Sequence, residues 1–323
     1  MSTSGEYLLR ATRNSLLEDA AEIAGILDPE GGQLSQSQYA RLSRYLNNMI
    51  KLWQADGANI QTRRKVGIVL ESGVSSYEIS AGGDTDSNFF SETLVETTLT
   101  SGSGTALVVG STTGMSATSS VSGSATYLGI EQTSGTIYWG RISSVDSATG
   151  ITLLYGGTNY LTGGKVFYHE DPPPRPLKLY DGYIRNSESV DTPIKVLTQE
   201  EYNRFGVKTT AGLTTQVFYD MRWPTANVYC YPTVTDVGNV LYLEVAYPFQ
   251  VFQDSQDLPD FPEEWQQALV YGLAHEIAWR YGMDEKRLAK LEQVANNYRQ
   301  WAITLSQETS VYLQPMHNMY GQK

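Results

Sequence analysis

The sequence predicts an α+β protein. Its helical core is built from N- and C-terminal helix pairs, and a large β-rich insertion between them holds a nested small barrel or sandwich module. An extended C-terminal arm follows. Three observations carry this prediction. Apolar residues recur at three-four spacing near both ends, as on one face of a helix. Through the middle the period drops to two, the signature of half-buried strands. Inside that middle, Ser, Thr and Gly become dense between about residues 87 and 171. The expected boundaries are 1–65 for the first helical part, 66–256 for the β domain with its nested module at about 87–171, 257–307 for a helical hairpin completing the core, and 308–323 for the arm.

The first helical pattern is Leu16, Ala20, Ile23 and Leu27, which predicts a helix over residues 14–27 ended by Asp28-Pro29-Glu30-Gly31-Gly32. Ser35 and Gln38 then form an S-x-x-Q capping box, in which each side chain satisfies a backbone N–H at the helix start. Tyr39, Leu42, Leu46, Met49 and Trp53 follow at helical spacing, and Asp56-Gly57 ends the run. From Lys65 the pattern alternates. Val66, Ile68 and Leu70, then Tyr77 and Ile79, read as strands.

Short β-prone runs interrupt the Ser/Thr/Gly-rich stretch at 105–109, 127–130, 136–142, 151–155 and 165–168, with Ser134-Gly135 and Gly156-Gly157 as turn signals. Tyr138, Trp139, Ile142 and Val145 supply core material that a linker lacks. Asp171-Pro172-Pro173-Pro174-Arg175-Pro176 is a stiff extended connector closing the module. Strand character resumes at 177–184, 194–197, 215–219, 227–232 and 240–247, with a helical turn starting at Thr198. Near the end, Trp265, Leu269, Leu273 and Ile277 recur every fourth residue. Pro262 suits a first helical turn and Gly282 a C-terminal cap, with Asp284 opening the next helix. Leu288, Leu291, Ala295, Tyr298, Ala302 and Leu305 make a narrow seam on that helix, antiparallel to the one before.

The net charge of −12 argues against sequence-independent nucleic-acid binding, which needs a basic surface to release phosphate counterions. Cys230 is the single cysteine, so no internal disulfide can form. The polar opening lacks the pattern of a signal peptide, and no apolar run reaches bilayer length. A soluble protein of a reducing cytoplasm is expected. The 22 tyrosines against 8 phenylalanines suit surfaces that are both buried and wet, as at subunit interfaces.

Candidate chemistry is sparse. His169, His275 and His317 are scattered, and His275-Glu276 lacks the second histidine of a metalloprotease helix because position 279 is Trp279. Gly102-Ser103-Gly104 has no following lysine at phosphate-loop spacing and reads as turn glycines. Asp254, Asp257 and Asp260 lack the glycine and closing glutamate of a calcium loop. Arg63-Arg64-Lys65 reads as an exposed basic turn able to touch a phosphate, and Cys230 as a buried structural thiol. No catalytic residue, cofactor site or metal site is nominated.

Residues at both ends resemble the head-to-tail adaptor (connector, or tail accessory factor) family of short-tailed bacteriophages. They are the helix at 14–27 with Pro29-Glu30-Gly31-Gly32, and the run Tyr45-Leu46-Asn47-Asn48-Met49-Ile50-Lys51-Leu52-Trp53-Gln54-Ala55-Asp56-Gly57. Near the back they are Leu258-Pro259-Asp260-Phe261-Pro262-Glu263-Glu264-Trp265, Ala268-Leu269, Leu273-Ala274 and Tyr281-Gly282. The long β-rich insertion between the helix pairs is a departure from that family. The resemblance implies a structural virion protein at the head–tail junction, made in the host cytoplasm. It implies a homo-oligomeric ring, a dodecamer, that docks on the portal protein, extends the DNA channel and presents a surface to tail nozzle or fibre proteins. DNA would pass without specific binding, and no membrane or cofactor would be involved. Tyr312, Leu313, Met316, Met319 and Tyr320 are the expected portal-binding residues of the arm. Leu42, Leu46, Met49, Trp53, Trp265, Leu269, Leu273, Ile277, Leu291 and Tyr298 are the expected helical core. Two other classes remain open: a carbohydrate- or receptor-binding tail module with Tyr138 and Trp139 stacking on sugar, and, last, a polysaccharide hydrolase.

Overall fold

A computed structural model of the chain describes residues 11–28, 32–56, 63–80, 88–91, 94–117, 126–170, 173–259 and 263–305. It is a mixed α+β structure, rich in strands and built on several sheets. The chain divides into two compact units, one made of Met1–Gln61 with Phe249–Lys323, the other of Thr62–Pro248.

The first unit is helical. Helix α1 (Arg13–Ile23) starts at Thr12, whose hydroxyl accepts from the Ser15 N–H. It stops short of the expected Leu27. Gly25 takes a φ of +67°, its N–H reaches the Glu22 carbonyl, and the Ile26 N–H reaches back to Ala21. These two bonds close the last turn on a left-handed residue, so the helical spacing that continues to Leu27 is not used. Helix α2 (Gln36–Ala55) opens on the capping box, with Ser35 and Gln38 each satisfying the other's backbone N–H. A 3-10 turn (Glu263–Trp265) leads into α4 (Gln266–Arg280), which packs against α1, α2 and the antiparallel α5 (Glu285–Leu305). The α4–α5 connection is a second glycine cap. Gly282 sits at φ +76°, with Gly282 N–H to Trp279 and Met283 N–H to Ala278.

One core joins these helices. Leu16, Leu17 and Ala20 of α1, Leu42, Leu46 and Ile50 of α2, and Leu269, Leu273 and Ile277 of α4 are all buried in it. Each such Leu or Ile stabilises the fold by about 1.5–3 kcal/mol through removal from water. Trp53 meets Trp265 with ring centroids 6.0 Å apart. Gly272 permits this approach, since a Cβ there would lie 2.7 Å from the Trp53 ring.

The second unit is built on two facing sheets and a barrel. One sheet runs β10 (Asp191–Pro193), β9 (Lys178–Arg185), β14 (Val240–Ala246), β1 (Arg63–Val69), β3 (Phe89–Ser91). The other runs β11 (Lys195–Leu197), β12 (Gln216–Asp220), β13 (Thr225–Tyr231), β2 (Ser76–Ser80). Alternate residues of each meet in one core: Val66, Ile68, Leu241 and Leu243 from the first, and Tyr77, Ile79, Val217, Val228 and Cys230 from the second. A short helix, α3 (Gln199–Asn203), starts at Thr198 with a Thr198–Glu201 capping box.

Strands β4 (Val95–Val109), β7 (Gly150–Gly157), β6 (Ile137–Val145), β5 (Thr126–Glu131) and β8 (Lys165–Glu170) close into a barrel in that order. The first half of β4 pairs with β8 and the second with β7. The bend between them is at Gly102 and Gly104, both at positive φ, so these glycines lie inside a strand rather than in a turn. Gly156-Gly157 is likewise strand, at the end of β7. A Cβ on Gly156 would lie 2.3 Å from the Gly104 backbone, which makes the pair a close-approach point and not the expected turn.

Residues of β5, β6 and β8 are buried on both faces. Leu128, Ile130, Ile142, Val166 and Tyr168 fill the barrel. Tyr127, Ile137, Trp139 and Phe167 point outward onto Val69, Phe90 and Val240 of the first sheet. A Cβ on Gly67 would overlap the Phe90 ring at 1.8 Å, so the glycine makes the space this contact needs.

Candidate docking surfaces

The return of the chain into the helical unit is held by polar contacts that begin on α2. The Asn47 amide donates to the Phe252 carbonyl and accepts from the Phe252 N–H, both at 3.0 Å, which pairs a side chain with backbone as a strand neighbour would. One turn on, the Lys51 ammonium donates to the Phe249 carbonyl, and burial lowers its pKa. Arg13 donates to the Gln253 carbonyl at 2.6 Å. Asp257 accepts from the N–H groups of Gln253 and Asp254 at 2.6 and 2.7 Å, which holds its carboxyl below the usual range. Its carboxylate is thus the centre of a turn. Asp260, the third aspartate of that series, lies outside the described residues.

On the helical unit, large aromatic side chains remain in water. Trp279 is 66% exposed and Trp301 is 64% exposed, and Tyr281 is also open. Trp301 continues an aromatic row, edge-on to Tyr298, which stacks on Tyr271 at 4.9 Å. Beside this row, a cleft of about 990 Å³ is floored by Ile23, Tyr271, Met283 and Leu291 and edged by Arg287 and Lys290.

On the β unit, the open part of the first sheet's outer face is a cation–tyrosine array. Arg63 lies over Tyr180 at 4.2 Å, with Lys178 on the same ring at 5.0 Å. Arg185 lies over Tyr183 and Tyr242, which stack at 5.2 Å, and Lys65 lies over Tyr183 at 5.5 Å. Arg185 is held by both oxygens of Asp191, at 2.7 and 2.8 Å, and Arg63 by Glu244 at 3.3 Å. The Asp191 contact holds that carboxyl below its ordinary range. A cavity of about 400 Å³ opens between Arg63, Lys65, Asp181, Tyr183, Tyr242 and Glu244. The basic run Arg63-Arg64-Lys65 is therefore part of strand β1, not an exposed turn, because it pairs in register with Ala246, Val245 and Glu244.

The nominated core residues Leu42, Leu46, Met49, Trp53, Trp265, Leu269, Leu273, Ile277 and Leu291 lie in the one helical cluster, with Tyr298 half-buried against it. The arm residues Tyr312, Leu313, Met316, Met319 and Tyr320, with His317, lie outside the described residues. Trp139 is not available to stack on a sugar. It is 7% exposed, edge-on to His169 at 5.2 Å, in the seam between barrel and sheet. Tyr138 is tilted against Tyr160 and donates to the Tyr155 carbonyl. His169 is buried there too, stacked on Tyr127. Burial pushes the Cys230 thiol up to about 12, so it is no nucleophile at neutral pH. No grouping of three or more metal-ligating side chains occurs among the described residues. No helix among them is long and apolar enough to cross a membrane. The cation–tyrosine array went unnoticed in the sequence because its members come from three strands far apart in the chain. The strand character at 177–184 and 240–247 and the basic run Arg63-Arg64-Lys65 were its traces.

Residues 161–314 match the family model described as SU10 adaptor protein. No curated protein matches the chain. Among solved structures, VP17, a capsid protein of bacteriophage P23-77, is similar at 10% identity over 61% of this chain and 77% of its own, with a TM-score of 0.13. The VP16–VP17 complex of the two major capsid proteins of the same phage gives 10% identity, 61% and 76% coverage, and a TM-score of 0.12.

Proposed function

We propose that this chain is a non-enzymatic structural protein of a phage virion, a head-to-tail adaptor that assembles as a ring at the head–tail junction. The observation that carries the reading is the match of residues 161–314 to the SU10 adaptor model, a span that takes in the α4–α5 hairpin. The exposed aromatic side chains of that hairpin support it. Trp279, Tyr281 and Trp301 are the residue types that anchor protein interfaces, and on a lone subunit they stand in water.

In this reading the ring, a dodecamer by resemblance, docks on the portal and extends the DNA channel. Heterologous contacts between rigid subunits close it on rotation. The acidic chain, at −12, repels the phosphates of passing DNA and does not grip them. Residues 310–323 bind the portal through Tyr312, Leu313, Met316, Met319 and Tyr320, aromatic and apolar side chains suited to burial at an interface. The β unit offers tail nozzle or fibre proteins their attachment surface.

Native mass and electron-microscopy class averages of the purified protein, alone and with portal rings, test this directly. A closed ring stacked coaxially on the portal is expected. Deleting residues 310–323 should abolish that association while leaving the subunit folded. A stable monomer that ignores the portal refutes the adaptor reading, and an intact complex after the deletion refutes the role of the arm.

A further inference from the structure

An apolar track runs along the α4–α5 hairpin, from near the end of α5 back to the cleft at the other end. Trp301, 64% exposed, meets Tyr298 edge-on, and Tyr298 stacks on Tyr271. Tyr271 is itself a wall of the cleft, where Ile23, Met283 and Leu291 continue the apolar lining. The rim is electrically balanced, with Glu22 and Asp284 against Arg287 and Lys290, so charge selects no occupant and the apolar lining does. An open apolar cleft joined to exposed aromatic rings is the form of a peptide-binding surface.

Two segments of this unit that lie outside the described residues exceed six residues, 1–10 and 306–323. The apolar block of the first is Tyr7, Leu8 and Leu9, at most about 14 Å of chain ahead of Ala11. Helix α1 alone spans roughly 15 Å from Arg13 to Ile23 at the cleft, and the chain would first have to reverse, so that block falls short. The second segment fits. It carries no Asp, Glu, Lys or Arg from Thr309 to Gln322, which suits a rim without net charge. Leu291 in the cleft lies about 21 Å back along α5 from Leu305. With about four residues spent on reversing the chain, the stretch up to Met316 reaches about 24 Å.

We propose that, before a subunit meets the portal, its segment 306–323 docks on its own α4–α5 hairpin. Tyr312 and Leu313 lie beside Trp301 and Tyr298, and Met316, Met319 and Tyr320 occupy the cleft, where unbranched thioethers fill an irregular apolar space. The tether from Leu305 is short, so the segment meets its own cleft at a local concentration of millimolar order, above that of any second copy in dilute solution. These are the side chains given to the portal above. The inference rests on that reading and adds its regulation: the seat is autoinhibitory, and the portal must displace the segment from it.

Lys290→Cys with Met319→Cys in the full chain tests it, since Cys230 is buried and stays out of the reaction. Mild oxidation in dilute solution should give a disulfide within one chain, seen as a faster band on a non-reducing gel. Asn48→Cys, exposed on α2, with Met319→Cys should link at least about tenfold more slowly. Disulfides between two chains would place the segment on a second copy, and equal rates for the two pairs would leave it without a seat; either result overturns the proposal. Val294→Arg puts a charge into the cleft wall. It should tighten binding to portal rings about tenfold, as when a seat filled about nine-tenths of the time ceases to compete. Circular dichroism checks that the fold survives, and an unchanged portal affinity in the folded variant overturns the competition. If the cysteine pair does not link yet deletion of 310–323 abolishes portal docking, the seat falls and the adaptor reading stands. If it links in a protein that ignores the portal, the seat stands and the adaptor reading falls.

Discussion

Asn47 and Asn48 are adjacent and chemically identical, yet only one holds the fold together. Asn47 spends its amide on both backbone groups of Phe252, while Asn48 is exposed. Asn47→Ala leaves a partly buried N–H and C=O unpaired and is expected to cost about 1–3 kcal/mol, read as a lower urea midpoint. Asn48→Ala should stay within about 0.5 kcal/mol. Equal effects would mean the clasp contributes nothing. Nothing in the sequence separates the two residues, because the partner of Asn47 arrives some two hundred positions later. Cys230 is the opposite case, legible in advance as a buried thiol within a strand. With its pKa pushed up to about 12, it should resist iodoacetamide at pH 8 in the native protein and react once unfolded in urea. Rapid native alkylation would contradict its burial.

At the scale of elements, what could be read was what is local. The capping box at Ser35 and Gln38 needs only four residues, and it stands as the sequence implies. The alternation of β1 follows from one buried face, and its inward residues were visible as Val66 and Ile68, whereas β13 and β14 were legible as strands without their inward Val228, Leu241 and Leu243. Missed were features set by a distant neighbour. The pairing of β3 depends on β1, the bend of β4 on two different partners, and Gly156 on the Gly104 backbone. Gly25 was overlooked because Ile23 and Leu27 keep helical spacing across it. Gly25 and Gly282 both hold left-handed conformations that an L side chain resists, by roughly 1–2 kcal/mol. Gly25→Ala and Gly282→Ala should each lower stability by about that amount. Gly206→Ala, at an ordinary φ with nothing within 4 Å, should be near neutral in the same urea titration. Should Gly206→Ala prove as costly as the other two, left-handed geometry is not what these positions need.

For the whole molecule, the core between the two sheets sets an upper pH limit. Tyr77, Tyr219 and Cys230 lie in that one cluster, and burial raises all three. Tyr219 is pushed up to about 12 from 10.0, and Cys230 to about 12 from 9.0. In the unfolded chain these groups release their protons at ordinary values, while the folded protein keeps them. The unfolded state then binds fewer protons, so stability falls as pH rises. The contribution of Cys230 is complete below pH 9 and is lost towards about 12, and Tyr219 joins from pH 10. Urea midpoints should therefore decline between pH 9 and 11 with unfolding of the sheets. Cys230→Val, close in volume and without a proton to lose, should remove up to about 1.4 kcal/mol per pH unit from that decline. A slope unchanged by Cys230→Val would show that burial does not hold the proton on this thiol in the folded protein. The lower pH range carries no such penalty from these groups, because their ordinary values all lie at 9 or above.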